Sequence, residues 1–467
     1  MEKYKYLLKN IGLLVLSNFS TKLLGFLLVP LYTSILTTKE YGIYDLFNTT
    51  IGVLIPIFTV NAVEFVLRYA LDKNYDRNAI VTIGTKWMII GSAIVIIGLA
   101  VNEVFDFIPI LKDYSGYFFL MYFSQTLSGM VTAYARGTDH VGSLSVSSII
   151  SSFFTLICNI IFLIPLKMGL SGYFLANIIG PIVQSIYLIF RTNINYNLNF
   201  HKKFRNEEKE MLSYSIPTII NSISWWINTV SDKYIVIFFC GLAENGIYSV
   251  SSKIPSILNV FQLIFNQAWD LSVVKDYDPN DKGNFFATTY QTYNGLLVIV
   301  CSLIIMGDRI LARFIYADNF YVAWKYVPFL TIAVLFNALV GFLGGFFTAV
   351  KDSKAYSVAS VAGAITNITL NFILIPVIGT MGAALSTAIC YIEAWIIRLV
   401  QSKKYIHFKI NIFRDCISYV LLFLQAILLL CMKESWIMYF IQMLIFSTIL
   451  ILYKNDIKLL LDKALKK

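Results

Sequence analysis

The chain has 467 residues, of which 58% are apolar and only 14% charged, and its mean hydropathy is +0.70. Soluble domains are about 45–50% apolar and about 25% charged, so the composition excludes a soluble globular protein, a disordered chain and a disulfide scaffold. The formal net charge of +10 has to be assigned to individual connections before it says anything about partners. At about 20 residues per span, the apolar content predicts an all-α polytopic membrane protein with a dozen or more transmembrane helices.

Apolar runs bounded by charged residues, Gly or Pro predict fourteen transmembrane helices. In chain order they cover residues 11–36, 42–67, 79–101, 114–135, 143–165, 169–190, 213–240, 245–270, 285–307, 324–349, 356–376, 380–400, 415–432 and 436–453. Bends are allowed in helices 1, 2, 7 and 8 by Pro30, Pro56, Pro217 and Pro255.

The Lys and Arg residues sort strongly by alternate connections, with 26 on one side, seven on the other and four inside spans. By the positive-inside rule, this asymmetry predicts an even number of helices with both chain ends in the cytoplasm. The positive charge therefore reflects topology, and no nucleic-acid binding is expected.

Two sequence echoes indicate an internal repeat. Glu40-Tyr-Gly-Ile-Tyr44 returns as Glu244-Asn-Gly-Ile-Tyr248, and Asn159…Pro165…Gly169-x-x-Gly172 returns as Asn371…Pro376…Gly379-x-x-Gly382, at offsets of 204 and of 212 to 210 residues. A six-helix repeat keeps one orientation in both copies, as in transporters built of parallel repeats. We expect a first lobe at 1–190, a cytoplasmic linker at 191–212, a second lobe at 213–402, and two extra helices with a basic cytoplasmic tail at 403–467. Two such lobes facing a central cavity are the plan of a transporter.

Several stretches resemble a known family: DKYIVI from Asp232, ENGIYSVSSK from Glu244, NFILIPVIGTMGAA from Asn371, and in the first lobe Gly42-Ile-Tyr and Arg68-Tyr69. Over nearly its whole length the chain is similar to the Wzx-like flippases of polysaccharide repeat units (O-antigen, capsule and teichoic types). These belong to the multidrug/oligosaccharidyl-lipid/polysaccharide exporter (MOP) superfamily, which also includes the MATE exporters. The resemblance implies two six-helix lobes in the bacterial cytoplasmic (inner) membrane. It also implies movement of undecaprenyl-pyrophosphate-linked oligosaccharide to the outer leaflet for cell-surface polysaccharide biosynthesis.

Polar side chains inside the predicted spans are the candidate substrate site, because a charge at a helix centre costs about 2.5–3.5 kcal/mol and should face water or a partner. Helical spacing aligns them into polar faces on helices 1, 7 and 8, with the candidates Asn18, Lys22, Asn221, Trp225, Asn228, Asp232 and Lys253. The two lysines would bind the pyrophosphate, and the Asn and Trp side chains would meet sugars. The alternatives are internal pairing, such as Asp232 with Lys253 or Lys233, and snorkelling of Lys253.

Three further charges are candidates for a gate or for coupling. Glu64 and Arg68 are spaced i, i+4 near the inner end of helix 2, and Glu393 lies near Arg398 in helix 12. They form either interfacial ion pairs or an inner gate that grips the head group or relays a proton.

Other function classes find little support in the sequence. The six cysteines show no CxxC, the three histidines lack ligand spacing, and a phosphate-binding GxxxxGK[ST] loop is absent, so we expect no metal site, no cofactor and no enzyme activity. The partners expected are the lipid-linked glycan, membrane lipid, a coupling ion (proton, sodium or chloride) and a glycan polymerase. Two alternatives stay open: a cation-coupled multidrug or metabolite exporter of the same superfamily, and a lipid II flippase. All three would work by alternating access.

Overall fold

The computed structural model describes residues 25–275, 277–350, 352–408 and 410–456, and within these ranges the chain forms helices and turns with no strand. The helices are α1 Val29–Ile35, α2 Thr38–Phe58, α3 Ala62–Ala70, α4 Arg77–Phe105, α5 Pro109–Asp113, α6 Ser115–Gly137, α7 Val141–Leu163, α8 Gly169–Thr192, α9 Arg205–Cys240, α10 Leu242–Ser251, α11 Ser256–Lys275, α12 Phe285–Ile315, α13 Val327–Ala349, α14 Ser353–Ile378, α15 Met381–Ser402, α16 Ile412–Cys431 and α17 Trp436–Leu452. Two short 3₁₀ helices cover Ile194–Asn197 and Asp318–Lys325.

Each of the fourteen predicted apolar runs contains a helix in the part of the chain that the structure describes. Nine helices there are long and apolar enough to cross a membrane: α2, α4, α7, α8, and α12 to α16. The prediction of an all-α polytopic membrane protein is confirmed. Two others, α6 and α9, have the length but carry too many polar residues to count among the nine.

Two of the predicted spans are broken near a proline. Helix 2 divides into α2 and α3 just after Pro56, and Val60 and Asn61 between them have left-handed φ values of 51° and 52°. Helix 8 divides into α10 and α11, with Pro255 directly before the second segment. The missing N–H of Pro255 would have bonded the Ser251 carbonyl, so it explains the interruption before α11. Pro56 lies inside α2, which continues to Phe58, and the interruption there coincides with the left-handed residues Val60 and Asn61. Pro217 lies inside α9, which continues past it.

The chain forms two compact units, Met1–Val230 and Ser231–Lys467, and α9 crosses from one to the other. In the first unit α8 packs on α6 and α7, and in the second α15 packs on α13 and α14. The second sequence echo lies at a helix-to-helix turn in both units, but the turns differ: residues 164–168 join α7 to α8, whereas Gly379 and Thr380 alone join α14 to α15. Gly169 and Gly379 have φ values of 54° and 63°. A Cβ on Gly172 would lie 2.9 Å from that of Phe162, and one on Gly382 would lie 2.6 Å from the Leu374 carbonyl carbon.

Gly382→Ala is expected to lower the free energy of unfolding by about 1–3 kcal/mol, because the added methyl would overlap backbone rather than a flexible side chain. The matched control is Gly363→Ala on α14, where the nearest atom would be the Cys390 carbonyl oxygen at 3.4 Å. Equilibrium unfolding in mixed micelles measures both variants. Equal stability of the two would show that α14 and α15 do not need this close approach.

Residues 194–211, which include the start of α9, pack against the rest of the first unit. Ile194, Phe204 and Met211 are buried in one apolar cluster with side chains of α3, α4 and α6. The Lys86 ammonium donates to Glu208 at 2.8 Å, and the Tyr75 hydroxyl donates to Glu210 at 3.1 Å. Exposed ion pairs stabilise a fold little, so burial of the three apolar side chains holds this segment.

The last two helices are joined to α12 by buried polar contacts, which we call the polar ladder. At one end the Asn294 side chain donates to the Tyr453 hydroxyl (3.2 Å) and accepts from the Tyr419 hydroxyl (3.0 Å). In the middle the Ser302 hydroxyl donates to the Gln425 side-chain oxygen at 2.7 Å. At the other end Arg309 donates to carbonyl oxygens at the end of α16, those of Leu429 (2.5 Å) and Met432 (3.0 Å).

The ladder corrects one expectation from the sequence. Helix 9 is predicted over 285–307, but α12 continues to Ile315 and Arg309 is buried in it. The Arg309 guanidinium also lies 4.2 Å from the centre of the Trp324 ring.

Candidate functional site

The predicted polar face of helix 7 is present on α9. Asn221 and Trp225 are exposed, with 67% of Trp225 accessible, and Asn228 is half-buried on the same side of the helix. The Asn228 side chain donates to the Ser224 carbonyl at 2.9 Å, so its amide is already partly satisfied by its own helix. A face of this composition would be costly against lipid and suits water or a polar ligand.

A neighbouring side of α9 is fixed to the first unit by hydrogen bonds. The Trp226 indole donates to the Thr49 carbonyl at 2.8 Å, and the Asn61 amide donates to the hydroxyls of Thr218 (2.8 Å) and Ser222 (3.2 Å). Residues 218, 222 and 226 are spaced by four, so they form one stripe. Because this stripe sets the rotation of the helix, Trp225 and Asn221 are held outward.

Asp232 lies farther along α9, in the second unit. The Tyr248 hydroxyl donates to its carboxylate at 2.6 Å, and Tyr248 itself is buried. The other carboxylate oxygen of Asp232 accepts from the Lys233 backbone N–H at 2.9 Å. The sequence expectation of pairing with Lys233 or Lys253 stays a prediction.

Several oxygen-bearing side chains lie near Asp232. Thr387 of α15 adjoins the Tyr248 hydroxyl, and the thiol of Cys390 lies near both the Asp232 carboxylate and the Asn367 side chain. The buried Asn371 amide donates to Asn367 at 3.0 Å, and its own side-chain oxygen has no hydrogen-bond partner in the described ranges.

In the residues that the structure describes, no three His, Cys, Asp or Glu side chains are grouped so that they could hold a metal ion. One carboxylate among neutral oxygens suits a proton or a monovalent cation better than a divalent one, which usually recruits several carboxylates.

Of the two lysines predicted to bind the pyrophosphate, the structure describes Lys253. Lys253 is half-buried in the turn between α10 and α11, rather than inside a continuous helix as the sequence suggested. Its backbone N–H donates to the Val250 carbonyl at 2.9 Å. Asn18 and Lys22 lie outside the described residues, so a pyrophosphate site built on both lysines stays a prediction.

The gate candidates do not form the expected ion pairs. Glu64 and Arg68 are both exposed on α3, and no ion pair joins them in this part of the chain. Arg398 is buried and donates to the carbonyl oxygens of Val340 (2.7 Å) and Tyr356 (3.1 Å) instead of Glu393. One Glu393 carboxylate oxygen is buried with no hydrogen-bond partner among the described residues.

Sequence reasoning missed Tyr248, Thr387 and Asn367 as neighbours of Asp232. Tyr248 was visible only as part of the repeat echo, and the other two are ordinary polar residues of apolar runs. Glu393 is the one predicted gate residue near this group, since its charge acts on the neighbouring Cys390.

The family model described as polysaccharide biosynthesis protein matches residues 7–269, more than half of the chain. No curated protein sequence matches the chain significantly.

Several solved structures share the fold. The lipid II flippase MurJ in its inward closed conformation is 16% identical, with a TM-score of 0.72 over 94% of this chain and 98% of that one. An inward-facing multidrug resistance MATE family transporter of the MOP superfamily is 12% identical, with a TM-score of 0.66 over 84% and 94%. An MOP superfamily transporter from Pyrococcus furiosus is 13% identical, with a TM-score of 0.56 over 85% and 96%.

Proposed function

Because the chain belongs to the polysaccharide biosynthesis protein family and has an MOP-like transporter fold, we propose that it is a flippase for undecaprenyl-pyrophosphate-linked oligosaccharide repeat units. It would move them from the cytoplasmic to the outer leaflet of the bacterial cytoplasmic membrane for synthesis of a surface polysaccharide such as O-antigen or capsule. The observation that carries this proposal is the family match over residues 7–269. Both chain ends would lie in the cytoplasm, as the distribution of Lys and Arg indicates.

In this proposal the polar face of α9 meets the glycan. Trp225 offers an exposed ring on which a sugar can stack, and Asn221 and Asn228 offer amides that can bond hydroxyl groups. Asn18 is assigned the same role. Lys22 and Lys253 would bind the pyrophosphate, with the polyprenyl tail left in the lipid.

Transport would follow alternating access of the two predicted lobes, 1–190 and 213–402, joined by the linker 191–212, and it involves no covalent chemistry. Asp232 would hold the coupling cation, because its carboxylate lies beside the Tyr248 hydroxyl and near Thr387, which offer further oxygen atoms. Glu393 is a second carboxylate near this group. Glu64 and Arg68, both exposed, would act on the head group at the inner entrance.

The Asp232 group also favours a second candidate, a cation-coupled exporter of the same superfamily. Such a protein needs a carboxylate-centred cation site, which Asp232 could provide. A lipid II flippase would differ from the first proposal only in the glycan carried.

Reconstitution in liposomes separates these candidates. We expect the protein to speed the crossing of a fluorescent undecaprenyl-pyrophosphate-linked oligosaccharide well above protein-free liposomes, and to leave lipophilic organic cations untransported. Transport of the organic cations alone would support the exporter, and a preference for lipid II would support that flippase. A lack of any acceleration of lipid-linked substrates would disprove flipping.

Trp225→Ala is expected to slow flipping about two- to tenfold, since a ring contact of this kind contributes about 0.5–1.5 kcal/mol. Trp225→Phe, which keeps a ring, should lose less. The matched control is Ile220→Ala, because Ile220 is equally exposed on α9 but offers no ring. If the Ile220 and Trp225 variants slow flipping equally, Trp225 does not contact the glycan. Initial rates in the liposome assay give the comparison.

A further inference from the structure

Two adjoining cavities lie on the second unit, where α14 begins and α15 ends. The first, of about 370 Å³, is polar at its rim and is lined by Asp352, Lys354, Gln401 and Lys404 among others. The second, of about 640 Å³, runs along α14 past Val358, Val361 and Ile365. Lys354 and Val358 line both cavities, so together they form one groove with a charged end and an apolar end.

The charged end carries two lysines that no carboxylate neutralises directly. Both Lys354 and Lys404 are exposed, and neither forms an ion pair in the described part of the chain. Asp352 is the one acid lining this end, and its oxygens already accept hydrogen bonds from the Ala355 N–H (2.9 Å) and the Tyr405 hydroxyl (2.6 Å). These two bonds, together with the nearby Lys404 charge and the Lys354 backbone N–H, hold the pKa of Asp352 below its ordinary value, so it stays ionised.

A further acceptor and a continuous apolar surface complete the groove. The side-chain oxygen of Gln401 is buried with no hydrogen-bond partner among the described residues. Lys354, Val358, Val361 and Ile365 follow one another at spacings of four, three and four, so they form one face of α14. The last two are more than half exposed.

We propose that this groove binds an anionic phospholipid of the leaflet that faces the cytoplasm. The two ammonium groups would hold the phosphodiester, Gln401 would accept from a head-group hydroxyl, and an acyl chain would lie along Val358, Val361 and Ile365. The charge fits, because basic pockets between membrane helices on the cytoplasmic side are suited to anionic head groups. The proposal is independent of which substrate the protein transports.

The internal repeat provides a natural comparison. The position 212 residues before Lys354 is Gly142, and Lys404 lies beyond the predicted second lobe, 213–402. The first predicted lobe therefore has no matching basic pair. A pair needed simply to orient each repeat by its positive charge would be expected in both.

The test is lipid binding to the purified full-length protein, followed by native mass spectrometry in detergent. The probes are phosphatidylglycerol, phosphatidylethanolamine and undecaprenyl pyrophosphate. For phosphatidylglycerol we expect Kd to rise about fivefold for K354Q or K404Q and about 25-fold for the double variant, at the roughly 1 kcal/mol that a basic residue contributes near an anionic surface. Phosphatidylethanolamine binding should not change. The matched control is K403Q, since Lys403 is an exposed neighbour that does not line the groove.

A second variant tests the apolar end without changing the charge. V361W would fill the groove and is expected to weaken phosphatidylglycerol binding while leaving Lys354 and Lys404 in place. The proposal is wrong if the double variant binds phosphatidylglycerol like the parent, or if K403Q loses as much. It is also wrong if the lysine variants weaken undecaprenyl pyrophosphate alone, because the groove would then take the carrier lipid.

Discussion

Asp232→Asn is expected to lower the flipping rate about 10- to 100-fold while the protein still folds. The substitution keeps one oxygen that can accept from the Tyr248 hydroxyl, which lies at 2.6 Å. It removes the negative charge and replaces the oxygen that accepts from the Lys233 N–H with an amide NH2 group. If that charge binds the coupling cation, its loss removes the free energy that couples the gradient to transport, typically 1–3 kcal/mol. The measurement is initial flipping in liposomes with an imposed sodium or proton gradient.

Tyr248→Phe is the matched control, because it removes the hydrogen bond and leaves the carboxylate. We expect it to shift the cation concentration for half-maximal transport but to keep the dependence on the gradient. If Asp232→Asn flips at the parent rate with the same gradient dependence, Asp232 has no part in coupling. If both variants fail equally and melt at lower temperature, the pair is structural.

Arg309→Met is expected to lower the free energy of unfolding by about 3–5 kcal/mol, the usual cost of leaving a buried charge without its partner. It would leave the Leu429 and Met432 carbonyls without their donor. It would also remove the positive charge that acts on Asp308, which is fully buried and whose two oxygens have no hydrogen-bond partner in the described ranges. Equilibrium unfolding in mixed micelles gives the change.

Two further variants identify the origin of this cost. Arg313→Met, one turn along α12, removes a largely exposed partner of Glu434 and should cost less than about 1 kcal/mol. Combining Asp308→Asn with Arg309→Met should recover part of the loss, because the unpaired charge is then gone. A full loss in the double variant would assign the whole cost to the carbonyls and to packing on Trp324.

The fold was predictable where it depends on local properties of the sequence. Apolar run length located a helix in every predicted span, and the break before Pro255 follows from the missing proline N–H. The break at Val60 and Asn61, which comes after Pro56, does not follow from it. The continuous α9 at Pro217 was not predictable in this way. Its first half is fixed by contacts from Asn61 and Thr49, which are distant in sequence.

The candidate site was predictable to the same extent. Helical spacing correctly grouped Asn221 and Trp225 on one exposed face, since periodicity alone decides which residues share a side. It could not tell that Trp226 points into the first unit, or that Tyr248 is a partner of Asp232. These two hydrogen bonds join residues that are 16 and 177 positions apart in the sequence. Such contacts depend on tertiary structure and cannot be read from a single sequence.

The polar ladder affects how the protein is inserted into the membrane during synthesis. Asn294, Ser302 and Arg309 enter the bilayer with α12, more than a hundred residues before their partners on α16 and α17 have been synthesised. Until then, these groups must be satisfied by water, by the insertion machinery or by each other, since lipid offers no hydrogen bonds. A chain that stops before α16 would therefore leave a polar seam facing hydrocarbon, which is the kind of defect that membrane quality control can recognise. Packing of α16 and α17 against α12 would thus complete the folding of the second unit.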